Sequence, residues 1–237
     1  GGYLFAGYSV NSQPFVRGSS GSVSYVGDSG VNSVPLDSGT SIQAGDSGDS
    51  VFMGVPTGNG TFTTAASGAN AGSGVIDAGS VTDPSQWVPD QYTISFTDAS
   101  DWQVKNSLGA VVANGTYDSS AGGTIAFDGI EVGISGAPAA GDTFTVSRPG
   151  QQSVLDTLDN LVSSLNGAGT SSAARAQLSS TLGGALQQID QALNQVSTVT
   201  TSVGSRLSLV SSINGTLSND TTAVTTQVSN LDSLDYA

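Results

Sequence analysis

The feature that most constrains this chain is a repeat in its last third. Apolar side chains recur at Leu182, Leu186, Ile189, Leu193, Val196, Val203, Leu207, Val210, Leu217, Val224, Val228 and Leu231, with Thr200, Asn214 and Thr221 filling the gaps. The steps then alternate four and three without a slip, which is a heptad with apolar a and d positions. This spacing predicts one continuous helix over about 172–232, about 90 Å long at a rise of ~1.5 Å per residue. The residues between the seam positions argue that such a helix cannot stand alone. Ser197-Thr198-Val199-Thr200-Thr201-Ser202 and Ser211-Ser212-Ile213-Asn214-Gly215-Thr216 are poor helix formers, because their side chains lose rotamers or compete for backbone hydrogen bonds. Gly183, Gly184, Gly204 and Gly215 each cost about 1 kcal/mol against alanine. Burial of the seam, at about 1.5–3 kcal/mol per aliphatic side chain, therefore has to create the helix, and other helices have to supply the burial.

Composition narrows the function. The 237 residues carry a net charge of −14, with Arg17, Lys105, Arg148, Arg175 and Arg206 as the cations. That balance disfavours nucleic acid and anionic membrane surfaces as partners, and no apolar run is long enough to span a bilayer. The chain has no cysteine and no histidine. Disulfides, thiolate metal sites and cysteine nucleophiles are excluded, and the usual general base and commonest metal ligand are missing. A structural or binding protein without cofactor is expected rather than an enzyme. The chain opens inside a motif, at Gly1-Gly2-Tyr3-Leu4-Phe5, and is read as a trimmed piece.

Ahead of the helix the pattern is β. Short apolar runs broken by Asp-Ser-Gly clusters read as hairpins over residues 1–54. Gln91-Tyr92-Thr93-Ile94-Ser95-Phe96-Thr97 alternates as a strand, and Asp128-Gly129 between Thr124–Phe127 and Ile130–Ile134 is a hairpin turn. Residues 55–147 are expected to form an inserted all-β domain, a small sandwich or irregular barrel, with Thr63 to Gly79 as loop. Arg148-Pro149-Gly150 returns the chain to helix, Ser153 caps it, and Val154, Leu155, Leu158, Leu161, Val162 and Leu165 mark one apolar face. The fold class is α+β and multidomain: a coiled-coil-like helical rod with β-hairpins at 1–54 and 148–237, plus the insertion.

Several motifs invite chemistry. Gly27-Asp28-Ser29-Gly30 and Gly45-Asp46-Ser47-Gly48 resemble a serine-protease nucleophile, but that reaction needs a histidine to take the proton; both read as turns. The pairs Asp98/Asp101 and Asp46/Asp49 lack the ligand order of a calcium loop and read as solvated acids. Trp87 and Trp102 are a sugar platform or, more simply, packing. Asn214 and Thr221 are polar seam positions of the kind that fix register, or hydroxyl and amide groups facing solvent. Gly204-Ser205-Arg206-Leu207 suggests a close helix crossing beside a surface ion pair.

Val203-Gly204-Ser205-Arg206-Leu207 in a Ser/Thr-rich helix resembles the C-terminal rod of the flagellin family. Tyr3-Leu4-Phe5-Ala6-Gly7, Gln13-Pro14-Phe15, Tyr25-Val26-Gly27-Asp28, the closing strand Gly136–Val146 and the final Leu231-Asp232-Ser233-Leu234-Asp235-Tyr236-Ala237 resemble that family's hook–filament junction branch, the third hook-associated proteins. The likeness covers residues 1–52 and about 125–237. It implies an exported, extracellular structural subunit of the bacterial flagellum, with Tyr3, Leu4, Phe5, Gly7, Gly204, Arg206, Asp235 and Tyr236 as family-motif positions. Implied partners are further copies of itself in a ring, the neighbouring hook-associated protein, flagellin, and an export chaperone on a C-terminal end missing here. A surface adhesin or tail-fibre-like module on a coiled-coil stalk is the alternative reading. A hydrolase would need a polar cleft built without histidine or cysteine.

Overall fold

In the computed structural model, residues 2–19, 21–37 and 39–235 are described. The chain divides into two compact units: Gly1–Pro14, Val26–Gly48 and Val196–Ala237 form one, and Phe15–Tyr25 with Asp49–Gln195 the other. The architecture is α+β. Strands β1 (Phe15–Arg17) and β2 (Val23–Tyr25) pair as a hairpin, as do β3 (Ser33–Asp37) and β4 (Thr40–Gln43). A π-helical turn at Asp49–Met53 leads into β5 (Val55–Pro56), followed by β6 (Thr63–Ala66), β7 (Val75–Ile76), β8 (Ser80–Val81), β9 (Tyr92–Phe96), β10 (Asp101–Lys105) and β11 (Val111–Thr116). Then come β12 (Gly123–Phe127), β13 (Ile130–Ser135), β14 (Thr143–Ser147), β15 (Gln151–Gln152), α1 (Val154–Asn166) and α2 (Ser172–Asp235).

The core follows from strand alternation. Tyr92, Ile94 and Phe96 point one way from β9 and are buried, as period-two geometry requires. β9 runs between β10 and β14 in a five-stranded antiparallel sheet of order β11-β10-β9-β14-β6. The second sheet has the order β12-β13-β7, with β8 also on β13. Phe62, Val104, Ile125, Phe127, Ile130, Val132, Ile134, Phe144 and Val146 complete one hydrophobic cluster. Its rings meet at tilted or edge-on angles, among them Tyr92 with Phe127 at 5.0 Å and Phe96 with Tyr117 at 5.4 Å between centroids, the geometry that ring quadrupoles favour. Asp128 and Gly129 both take positive φ, 42° and 77°, so the Asp-Gly turn joining β12 to β13 has the primed form that matches strand twist.

One buried carboxylate staples this unit. Asp142 accepts hydrogen bonds from the backbone N–H groups of Ala71 (2.8 Å), Gly72 (3.1 Å) and Ala139 (2.9 Å). It thereby holds the β6–β7 and β13–β14 connections together. The expectation of a loop over Thr63 to Gly79 is corrected, since β6 and β7 lie inside it. Their small Thr and Ala side chains carry no apolar alternation of their own; β6 instead pairs with β14, which supplies Phe144 and Val146. The hairpin expected around Gly27–Gly30 is also displaced, because β1 and β2 turn at residues 18–22.

Helix α1 begins at Ser153, whose hydroxyl accepts from the N–H of Leu155 and Asp156, the capping role its position predicts. Its apolar face is only partly used: Leu158, Val162 and Leu165 are exposed, and the buried residue is Thr157. Helix α2 is a single 64-residue helix and covers the whole predicted 172–232 span.

Candidate assembly surface

Helix α2 presents two stripes, one residue and therefore about 100° apart round the axis. The packed stripe runs through Ala185, Gln188, Ala192, Gln195, Val199, Arg206 and Ile213, all buried or half-buried. Small side chains let the main chain approach, and the long ones donate to backbone carbonyls. Gln188 Nε2 reaches Val55 O at 3.4 Å and Gln195 Nε2 reaches Ser50 O at 2.9 Å. One heptad separates the two glutamines, which keeps both on one face.

The other stripe is the predicted apolar seam. Leu182 and Ile189 are half-buried. Leu186, Leu193, Val196, Val203, Leu207, Val210, Leu217, Val224, Val228 and Leu231 are all exposed, Leu207 to 65%. Asn214 and Thr221 on the same stripe are exposed too. Ten aliphatic side chains in register on one helix would return on the order of 10 kcal/mol gross when covered, allowing for their present partial burial. Exposed apolar stripes of this regularity mark interaction surfaces.

The motif residues near Arg206 are joined by polar contacts. Arg206 forms an ion pair with Asp46, their side chains 16% and 19% exposed, and its Nη1 donates to the carbonyls of Gln43 (3.2 Å) and Gly45 (3.4 Å). The guanidinium fork therefore ties the segment after β4 to α2. At Gly204 a built Cβ meets nothing within 4 Å among the described residues, so no element of this chain crosses closely there. The ion pair is half-buried rather than at the surface.

The first Gly-Asp-Ser-Gly segment does similar work. Asp28 accepts from the N–H of Tyr8 and Gly30, both at 2.8 Å, and from the Ser9 hydroxyl at 2.9 Å. These bonds hold its carboxyl below the usual aspartate value, the Tyr8 and Gly30 amides most of all. Tyr3 N–H closes the same loop onto Val10 O at 2.7 Å. Gly7 (φ 70°) has to be glycine, since a Cβ would lie 2.0 Å from the Asp28 carboxylate. Phe5 also takes a left-handed φ of 65°, a conformation that costs a non-glycine residue about 1–2 kcal/mol. The resulting rigid loop exposes Tyr3, Leu4 and Tyr8, with Leu4 at 79%. Asp235 is the last helical residue of α2, and Tyr236 lies outside the described residues.

The tryptophans are separated in role. Trp87 sits between the rings of Phe62 and Tyr92. Trp102 shares the core face of β10 with Val104 and lies over Gly115. Its Nε1 donates to Thr116 O at 3.1 Å, so the ring is held against β11.

The chain thus combines a long helix with an exposed apolar stripe, a segment after β4 tied to that helix through Arg206, and two sheets round one hydrophobic cluster. The family model described as flagellar hook-associated protein 1, D2-like domain, matches residues 65–148. FlgL from Xanthomonas campestris is similar at 32% identity and a TM-score of 0.84, the match covering 96% of this chain and 73% of that one. The flagellar junction protein FlgL from Legionella pneumophila matches at 31% identity and a TM-score of 0.82, covering 94% and 71%. Hook-associated protein 3 from Legionella pneumophila matches at 29% and 0.88, covering 99% and 74%. No curated protein matches the chain by sequence. The class is that of the flagellar hook-associated structural proteins. Within it, the chain belongs to the FlgL family, whose role at the hook–filament junction is structural.

Proposed function

We propose that this chain joins the flagellar hook to the flagellin filament as one subunit of a ring, with the apolar stripe of α2 as its assembly face. Residues 1–54 and 148–237 form the packing part, and residues 55–147 an inserted β domain. The partners are further copies of the chain, the adjoining hook-associated protein and flagellin. An export chaperone and the flagellar secretion system deliver it to the outside of the cell. The single observation that carries this reading is the run of ten exposed, in-register aliphatic residues from Leu186 to Leu231. A helix that keeps its polar and small face for its own chain and leaves its apolar face bare is built for a partner with a like face. The Tyr3, Leu4, Phe5, Gly7, Gly204, Arg206 and Asp235 motif positions support the same assignment. The test is genetic. Cells deleted for the gene should build hooks and shed flagellin into the medium, and re-expression should restore filaments. Filaments of normal number on the deletion strain would overturn the assignment.

A further inference from the structure

The chain contains four Asn-Gly pairs: Asn59-Gly60, Asn114-Gly115, Asn166-Gly167 and Asn214-Gly215. Asparagine before glycine is chemically the most exposed to attack by the following peptide nitrogen on its own side-chain amide, because glycine has no Cβ to obstruct ring closure. The structure treats the four pairs very differently. The Asn59 side chain is locked: its Oδ1 accepts from Thr61 and Phe62 N–H at 2.9 Å, and its Nδ2 donates to the carbonyls of Ala78 and Gly79 at 3.3 Å. Asn114 lies within β11, with Gly115 beneath the Trp102 indole. Asn214 lies deep inside α2, flanked by helix on both sides. Asn166 alone ends an element. It is the exposed last residue of α1, followed by the exposed residues Gly167, Ala168, Gly169 and Thr170. The Gly167 N–H is held by one terminal helix bond, to Ser163 O at 2.9 Å, and terminal turns open with little free energy.

We propose that Asn166 is a site of spontaneous deamidation, at which the α1–α2 connection converts to aspartate and isoaspartate. When the terminal turn frays, the Gly167 nitrogen loses its proton to solvent base and its lone pair attacks Asn166 Cγ. The bond from Cγ to the side-chain nitrogen breaks, and ammonia leaves with a proton from solvent. Water then adds to one carbonyl of the succinimide. Opening at the side-chain carbonyl gives aspartate; opening at the main-chain carbonyl gives isoaspartate, with the backbone now passing through Cβ. One water is consumed and one ammonia released, and no oxidant or reductant is needed. The product places a new carboxylate at the carbonyl end of α1, where the helix dipole opposes it, and in the iso form lengthens the main chain of the turn.

Peptide mapping by mass spectrometry after incubation of the folded chain in mildly alkaline buffer tests this. A gain of one dalton, with isoaspartate, should accumulate at Asn166 at least tenfold faster than at Asn59 or Asn114. Tenfold corresponds to about 1.4 kcal/mol in the free energy of opening. The control is Gly167→Ala. Gly167 has φ −90° and ψ 2°, in the bridge region that non-glycine residues also enter, as at turn positions, and the added Cβ would meet Ser163 O at 3.3 Å, which has to yield slightly. This variant should keep its helical circular dichroism and slow conversion at Asn166 at least tenfold. Conversion at Asn59 or Asn114 as fast as at Asn166, or an unchanged rate in a folded Gly167→Ala chain, would overturn the proposal.

Discussion

Replacing Arg206 with alanine should loosen the segment after β4 from α2. The side chain is about five-sixths buried and makes three polar contacts: the Asp46 carboxylate and the carbonyls of Gln43 and Gly45. Truncation leaves a largely buried carboxylate without its cation and two carbonyls without a donor. Breaking a fully buried pair from one side costs about 3–5 kcal/mol. With a fifth of Asp46 still exposed, the expected loss is about 2–4 kcal/mol. Arg206→Lys keeps the charge but not the planar fork, and should cost about half as much. Hydrogen exchange read by mass spectrometry over residues 40–48 and 200–213 is the assay, because a local opening need not coincide with global unfolding. Both segments should exchange faster in Arg206→Ala. A cycle with Asp46→Ala should show coupling of about 1 kcal/mol or more between the two residues. Unchanged exchange over 40–48, or additive single changes, would refute the view that Arg206 is the tie.

Two further changes probe other clamps. Asp142→Ala removes the acceptor for three backbone N–H groups in a position that is 2% exposed, and should destabilise the β sandwich by about 2–5 kcal/mol; denaturant unfolding followed by Trp87 fluorescence would show it, and a loss under half a kcal/mol would contradict it. Because the folded-state pKa of Asp28 is lowered by its N–H and hydroxyl donors, its contribution is complete above the ordinary aspartate range and is lost as pH falls through the folded value. The amide shifts of Tyr8 and Gly30 should therefore titrate with a midpoint below that of an unperturbed aspartate, and a midpoint at or above it would count against the clamp.

Much of the fold could be read from local pattern. Four–three spacing announced α2, Ser153 announced the start of α1, the Tyr92–Ile94–Phe96 alternation announced the central strand, and Asp128-Gly129 announced its hairpin. Each is a feature whose cause lies within a few neighbouring residues. The misses have a common origin in distance along the chain. Strand β6 carries only threonine and alanine and exists because β14, some eighty residues later, pairs with it. Asp142 looks like any loop acid until Ala71 and Gly72 are brought to it. The packed stripe of α2 is not legible as apolar periodicity, because alanine, glutamine and arginine fill most of its positions and only Val199 and Ile213 are apolar and large. Amide side chains at heptad spacing beside small residues were the available signal. The apolar seam was legible as periodicity, and so was its need for other helices, since the poor helix formers between its positions require burial that this chain does not supply.

Whether the bare stripe of α2 serves assembly rather than the chain's own stability is decided by Leu207→Asp. Leu207 is 65% exposed, so the substitution should cost the isolated chain about 0.5–1 kcal/mol, mostly through helix propensity. Against a covering helix the same carboxylate would be buried without a partner, at several kcal/mol. The decisive measurement is a count of filaments on cells producing the variant as their sole copy, set beside its thermal stability in solution. The expected outcome is a chain of near-normal stability, intact hooks, and flagellin shed into the medium. A stably produced Leu207→Asp chain that supports normal filaments would contradict it.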